Sequence, residues 1–350
     1  MPPSVKLMSV ATAVPPHCIE QRDAAAAAYR GFARRFGEFE RLARVFETSG
    51  ILRRYAVRPL EWYFEPLGWP ERTEAFLDGA AQLFIDAASR ALDAARITAA
   101  QVDTVVTISS TGIATPSLEA HVATRMGFRP DIERVPVFGL GCAGGVSGIS
   151  IASRLAQSRP GSVVLVVAVE LCTLAFRLDT LTKANIVATA LFGDGAAACV
   201  LRAGEAGLAA IEMTGQHIWP DTLGIMGWSI DPQGFGVIFD RDIPPFAEAH
   251  MAPAVAGILD RAGLGLADID RFAFHPGGTK VVNALERAFS LRQGTLDHER
   301  DILAEYGNMS APTALFVLDR VIQAGLPART LLSAMGPGFT ASCVSLQKAA

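Results

Sequence analysis

The feature that most constrains this chain is that it repeats itself. Leu92-Asp93 through Val102-Asp103, followed by Val105-Val106-Thr107, reads as helix, short loop and strand. Leu259-Asp260 through Ile269-Asp270, followed by Phe272-Ala273-Phe274, reads the same way. The copies align without gaps at an offset of 167, sharing Leu-Asp, an alanine (Ala95, Ala262), an apolar residue (Ile97, Leu264) and an apolar-Asp pair before the strand. Farther on, Gly141-Cys142 and Gly307-Asn308 align at an offset of 166. Each half also carries a glycine turn before a strand, Gly193-Asp194-Gly195-Ala196 and Gly336-Pro337-Gly338-Phe339. Generic α/β periodicity accounts for any one match; their shared order points to a duplication. The expected halves are residues 1–205 and 206–350, with alternating strands and helices layered so that both sheet faces are covered. If the halves pack about a pseudo-twofold axis, Cys142 and Asn308 stand at equivalent helix N-termini that converge on one pocket.

Composition allows such a fold. Of the 350 residues, 50% are apolar and 19% charged, enough for a large core and too apolar for disorder. A net charge of −4 gives no reason to expect nucleic-acid binding. The longest aliphatic run, Val163 to Val169, is too short to span a membrane and reads as a buried strand. Residues 1–14 lack a basic start and a long apolar centre, so no secretory leader is expected. The five cysteines (Cys18, Cys142, Cys172, Cys199, Cys343) are scattered and lack metal-ligand spacing. That favours reduced thiols in a cytoplasmic protein. No motif for a metal or redox cofactor is present.

Cys142 lies in Gly139-Leu140-Gly141-Cys142-Ala143-Gly144-Gly145, after an apolar segment and before a helical pattern from about Val146 to Ala156. At a helix N-terminus, unpaired N–H groups and the helix dipole favour an anion, so this thiol is expected to ionise more easily than a free one. A small buried cysteine in a tight turn is the bland alternative. His275 ends the short strand before Pro276-Gly277-Gly278, and Asn308 precedes a helical run from Ala311 to Ile322. Read alone, His275 fits a core histidine and Asn308 a helix cap. Read together, Cys142, His275 and Asn308 are a nucleophile, a base and an amide donor. The segment Arg34 to Arg58 holds seven arginines against three glutamates. A helix there would put Arg41 and Arg44 on one face, which suits either a phosphorylated substrate or a solvated surface.

With these motifs the chain resembles the type III polyketide synthases, the chalcone-synthase-like family, over nearly its whole length. The likeness rests on Gly141-Cys142-Ala143-Gly144-Gly145, Ala190-Leu191-Phe192-Gly193-Asp194-Gly195-Ala196-Ala197, His275-Pro276-Gly277-Gly278, Tyr306-Gly307-Asn308-Met309-Ser310 and Gly336-Pro337-Gly338-Phe339. Arg58-Pro59-Leu60-Glu61-Trp62-Tyr63 and Gly68-Trp69-Pro70-Glu71-Arg72 look like bacterial members that make alkylresorcinols or alkylpyrones. The resemblance implies a thiolase-like fold of duplicated α/β/α/β/α layers. It implies a homodimer and iterative condensation of malonyl-CoA onto an acyl-CoA starter, long-chain fatty acyl in the narrower match, with no cofactor beyond the CoA thioesters.

By residue-wise match, Cys142 would carry the acyl chain, paired as thiolate with a His275 imidazolium, and His275 and Asn308 would hold the enolate formed by decarboxylation. Phe192 matches an aromatic that orients malonyl-CoA, and Arg41 and Arg44 match cations for the CoA phosphates. Thr48 stands where plant members carry a third cation, a lysine. Val237 replaces a gatekeeping phenylalanine, which should widen the passage. Thr115 replaces a methionine that reaches across the dimer. Cys172 replaces a threonine and should line the cavity without a catalytic role. Two other readings remain: a ketoacyl-acyl-carrier-protein synthase III-like enzyme making one condensation, against which His-Pro-Gly-Gly stands, and a catalytically silent scaffold that binds an acyl-CoA.

Overall fold

The computed structural model describes residues 4–33, 37–180, 182–204 and 206–349; Arg34 and Arg35 of the arginine-rich segment lie outside them. The strands are β1 (Val5–Ala13), β2 (His17–Glu20), β3 (Arg53–Ala56), β4 (Thr104–Ile108), β5 (Glu133–Val137), β6 (Val163–Leu171), β7 (Asp194–Ala203), β8 (Ala209–Ile218), β9 (Met226–Asp231), β10 (Gly234–Phe239), β11 (Arg271–Phe274), β12 (Arg329–Gly336) and β13 (Thr340–Lys348). The α-helices are α1 (Gln21–Phe32), α2 (Phe39–Thr48), α3 (Trp69–Ala95), α4 (Leu118–Met126), α5 (Gly144–Ser158), α6 (Lys183–Leu191), α7 (Ile243–Asp260), α8 (Thr279–Ala288), α9 (Asp297–Tyr306) and α10 (Ala311–Gln323).

The strand order exposes the duplication. The main sheet runs β11-β12-β13-β8-β1-β7-β6-β4-β5. Outward from its centre, the N-terminal half reads β1, β7, β6, β4 and the C-terminal half reads β8, β13, β12, β11. In each half the first three strands are antiparallel neighbours and the last pair is parallel. Within the sheet, β1 and β8 pair across the halves at Lys6 with Ala210 and Leu7 with Ala209. β5 extends the N-terminal half by one strand. The connection between halves falls between the end of β7 at Ala203 and the start of β8 at Ala209.

Helices fill the layers according to which faces can be buried. α3 lays Ala80, Ala87, Ala88 and Ala91 on the outer face of the N-terminal half, small residues that let a long helix approach the sheet closely. α7 covers the outer face of the C-terminal half. Between the half-sheets lie α5 and α10. The first seven residues of α5 and the first eight of α10 are all buried. A helix without a polar face has to lie inside the protein. These layers give the α/β/α/β/α fold expected of a thiolase-like chain. β6 is buried along its whole length, as a strand covered on both faces must be. β9 and β10 form a separate hairpin sheet, and β2 and β3, joined through α1 and α2, form another two-stranded antiparallel sheet. No helix among the described residues is long and apolar enough to cross a membrane.

Candidate active site

The central layer brings the two halves' chemistry together. Cys142 sits in a 3-10 turn, Gly141–Ala143, between β5 and the start of α5. Gly141 has φ +46°, and a side chain there would meet the Pro337 ring 2.6 Å away. Gly145, one turn on, faces the first residue of α10: a Cβ on it would lie 2.3 Å from the Ala311 carbonyl oxygen. The glycines that mark the motif in the sequence are thus where the N-termini of α5 and α10 touch.

Asn308 is held from several sides. Its backbone N–H donates to Leu191 (2.8 Å) and its carbonyl accepts from Gly193 (3.0 Å), a parallel bridge that straps it to Phe192. Its side-chain oxygen accepts from the Ser310 N–H at 2.8 Å, and its Nδ2 donates to the Gly277 carbonyl at 3.2 Å. The amide orientation is therefore fixed, with one N–H of the side chain still available. Ser310 adopts φ +59°, unusual for a residue with a side chain. Its hydroxyl bonds the Cys142 thiol. The His275 ring lies alongside Gly277, with Nε2 3.8 Å from where a side chain on that glycine would begin. Neither ring nitrogen has a hydrogen-bond partner among the described residues. Cys142, Ser310, Asn308, Gly277 and His275 thus form one continuous cluster drawn from both halves.

The electrostatics differ from the sequence expectation. Burial pushes the Cys142 thiol up to about 12; the Ser310 hydroxyl opposes this, and the carboxylate of Glu170 adds to it. Burial also pushes His275 down to about 4. The free site therefore favours a neutral thiol and a neutral imidazole. The expected easy ionisation and resting thiolate–imidazolium pair are corrected, because the cost of burying charge outweighs the helix terminus. A neutral imidazole with an open nitrogen is still suited to take the thiol proton as attack proceeds.

Cys142, Cys172, Phe192, Val237 and Asn308 share one narrow cavity of about 50 Å³. Its roof is the β9–β10 hairpin. There Val237 pairs directly with Trp228, so a small and a large side chain sit side by side. Trp228 meets Phe192 edge to face at 6.0 Å. The space a valine leaves at 237 is thus offset by an indole beside it. Cys172 and Phe192 also wall a second, apolar chamber of about 60 Å³, bounded by Tyr63, Phe64 and Phe176. Phe192 is positioned from below: the buried guanidinium of Arg54 donates to the carbonyls of Thr189, Ala190 and Phe192 at the end of α6. Thr115 lies exposed between β4 and α4 and does not line the Cys142 cavity.

A wider cavity of about 590 Å³ reaches Leu191 and Gly277 from the surface. Arg41 and Thr48 line one side of it, and Lys183, Arg241 and Lys280 also line it. Arg44, three residues from Arg41 on α2, does not. Sequence reading missed these three cations because they come from separate elements. It also missed Ser310, Trp228 and Glu170. Glu170 left one trace, a carboxylate near the end of an otherwise apolar run. It is fully buried, one oxygen accepting from the Ser110 N–H (2.9 Å) and the Thr111 hydroxyl (2.7 Å). Burial pushes it up to about 7. No group of His, Cys, Asp and Glu that would hold a metal ion occurs among the described residues.

The N-terminal domain profile of chalcone and stilbene synthases matches residues 3–205, and the C-terminal domain profile matches residues 210–348. The chain belongs to the chalcone and stilbene synthases, the type III polyketide synthases. As such it is a carbon–carbon bond-forming acyltransferase that uses CoA thioesters. It is 38% identical to the 1,3,6,8-tetrahydroxynaphthalene synthase of Streptomyces peucetius subsp. caesius, over 97% of this chain and 92% of the relative. It is 30% identical to the alpha-pyrone synthesis polyketide synthase-like Pks18 of Mycobacterium tuberculosis (strain ATCC 25618 / H37Rv), over 95% and 88%. Among solved structures, the type III polyketide synthase 1,3,6,8-tetrahydroxynaphthalene synthase of Streptomyces coelicolor A3(2) superposes with a TM-score of 0.93 at 28% identity, covering 99% of each chain.

Proposed function

We propose that this type III polyketide synthase condenses malonyl-CoA repeatedly onto a long-chain acyl-CoA starter and releases alkylpyrones or alkylresorcinols. The observation that carries the reading is the cluster joining Cys142, Asn308 and His275 beside a narrow cavity, with a second apolar chamber behind the Cys172–Phe192 wall. In this reading Cys142 attacks the starter thioester, its proton passes to His275, and CoA leaves. Malonyl-CoA then loses CO₂. The free N–H of Asn308 and the protonated ring of His275 donate to the enolate oxygen. The enolate carbon attacks the acyl-Cys142 thioester, Cys142 leaves as a thiolate and takes back the proton held by His275, and the chain, now on CoA, is two carbons longer. The alkyl tail extends past Cys172 toward the apolar chamber. Arg41, Lys183, Arg241 and Lys280 face the CoA phosphates, and Arg44 stands aside. The homodimer reading draws support from Ile113 and Phe138, apolar yet 53% and 55% exposed, near the free edge of β5; a partner packed there would cover Thr115.

A second reading has its own support. Trp228 narrows the cavity, and a 38% identical relative is a tetrahydroxynaphthalene synthase. In that case malonyl-CoA serves as starter as well as extender. Malonyl-CoA with acyl-CoAs of graded length, and products identified by mass spectrometry, separates the two. Extended products that retain a long alkyl tail support the first. A naphthalene-type product formed from malonyl-CoA alone supports the second. Single-extension β-ketoacyl products would instead indicate a one-condensation enzyme, and acylation without extension a scaffold.

A further inference from the structure

Among the described residues the β9–β10 hairpin that roofs the cavity has no strand pairing to the main sheet, so side chains set its height. Its tip is fastened at Asp231. Arg177, 5% exposed in its side chain, donates Nη1 to both carboxylate oxygens of Asp231 at 2.7 Å. The same guanidinium donates Nε to Asp179 at 3.0 Å, with a second bond from Nη2. Asp231 also accepts from the Gln233 N–H (2.9 Å), which closes the hairpin turn, and its carbonyl accepts from the Trp69 indole at 2.9 Å. Trp69 packs on Phe235 (5.1 Å between ring centroids), Phe235 on Trp228 (5.9 Å), and Trp228 on Phe192. An aromatic row thus runs from the fastened tip to the cavity.

Arg177 also belongs to the opposite wall. It follows the turn Cys172–Ala175, and its carbonyl accepts from the Asn185 side chain at 2.6 Å on α6. The Arg177 guanidinium therefore ties the roof that carries Trp228 and Val237 to the segment that leaves the Cys172–Ala175 turn, and the Arg177 carbonyl anchors that segment to α6. Arginine suits this task because its planar fork serves two carboxylates with fixed geometry.

We propose that Arg177 and Asp231 form a latch that sets the gap between the Trp228–Val237 roof and the Cys172 wall, and thereby the length of acyl starter the enzyme accepts. They are positioning residues and touch no reacting atom. The inference rests on the acyl-CoA reading above only in its second half; the roof is held in place whatever the starter.

Asp231→Asn and Asp231→Ala test it, since Asp179 still pairs Arg177 and the fold is retained. Asp231→Glu restores the carboxylate. Two readouts are taken. Hydrogen exchange of the amides of β9 and β10 rises in the first two variants, stays at wild-type rates in β6 and β7, and returns toward wild type in Asp231→Glu. The ratio of kcat/KM for a long over a short acyl-CoA starter changes roughly tenfold, while malonyl-CoA decarboxylation stays within about twofold of wild type. Unchanged exchange in β9 and β10 overturns the latch, whatever the substrate. Raised exchange with a starter ratio held within about twofold overturns its role in chain length. A wild type that turns over no acyl-CoA starter overturns the acyl-CoA reading instead, and the exchange measurement still decides the latch.

Discussion

The two helix N-termini at the centre of this synthase are copies of one architectural position put to different uses. α5 is entered through a glycine-rich turn that leaves Cys142 at its mouth. α10 is entered through Ser310 at φ +59°, with Asn308 strapped to Phe192. In the proposed cycle the first carries a group that gains and loses a covalent bond. The second carries an amide that does not titrate and, with its oxygen held by the Ser310 N–H, offers the site a donor. The difference extends to each half. The N-terminal half supplies Cys142, Cys172 and the apolar chamber, the parts that would hold a growing chain in the proposed cycle. The C-terminal half supplies the roof over the cavity and, apart from it, His275, Asn308 and two of the mouth cations, Arg241 and Lys280, the parts that would receive malonyl-CoA. Duplication gave a symmetric frame, and the chemistry depends on its two sites no longer being alike.

The largest expected effect separates the halves outright. Cys142→Ala removes the covalent anchor, and polyketide formation falls by roughly a thousandfold or more. Malonyl-CoA decarboxylation persists, since its donors lie in the other half. Release of ¹⁴CO₂ from labelled malonyl-CoA, beside product analysis, checks this; equal loss of both would mean that the division of labour is wrong. Next comes Asn308→Ala, which deletes one enolate donor. Decarboxylation then falls by about 10²–10³, or about 2.7–4 kcal/mol of barrier, while acylation of Cys142 by a starter thioester is retained. Mass spectrometry of the acyl-enzyme reads that second part.

His275 gives a test in stability. Burial holds its folded pKa at about 4 against 6.5 for an unperturbed histidine. Below pH 6.5 the unfolded chain binds a proton that the folded chain refuses, so stability is lost as pH falls from 6.5 to about 4. His275→Gln should remove that component, on the order of 1–3 kcal/mol. Urea unfolding at pH 7 and pH 4.5 then shows a smaller loss in the variant than in wild type. An equal loss in both would mean that the ring is not held neutral, and the resting ion pair would return.

Much of this was legible in the sequence, for reasons the structure makes plain. The repeat could be read because each copy is local, a helix, a short loop and a strand. Cys142 and Asn308 stand out because their glycines answer a close contact, Gly141 against Pro337 and Gly307 against the Leu191 carbonyl. What stayed hidden depends on burial or on distant partners. The helix terminus that favours ionisation of Cys142 is a local feature, while the desolvation that outweighs it belongs to the folded interior. Val237 was read as an opening because its partner in β9, Trp228, is fixed by hairpin register. Lys183, Arg241 and Lys280 lie on three separate segments and meet only at the cavity mouth.

The smallest expected effect tests that last point, and it sets the carry-over of residues against the geometry. Arg41 and Arg44 match the same set of phosphate-binding positions, and helical spacing puts both near one face. Only Arg41 lines the cavity, and Lys280 and Arg241 line it from the C-terminal half. Each is exposed, so each contributes the modest energy of a solvated ion pair. Arg41→Ala, or Lys280→Ala with Arg241→Ala, should therefore raise KM for malonyl-CoA roughly three- to tenfold with kcat little changed. Arg44→Ala should leave KM within about twofold of wild type. The control is a thioester without phosphates: kcat/KM for malonyl-N-acetylcysteamine should be the same in every variant. Added salt should weaken the wild type toward the variants with the CoA substrate alone. If Arg44→Ala raises KM as much as Arg41→Ala, the phosphates lie along α2 and the mouth cations of the C-terminal half are solvated surface. If the variants also lose activity on the phosphate-free thioester, the cations shape the mouth and do not bind a charge.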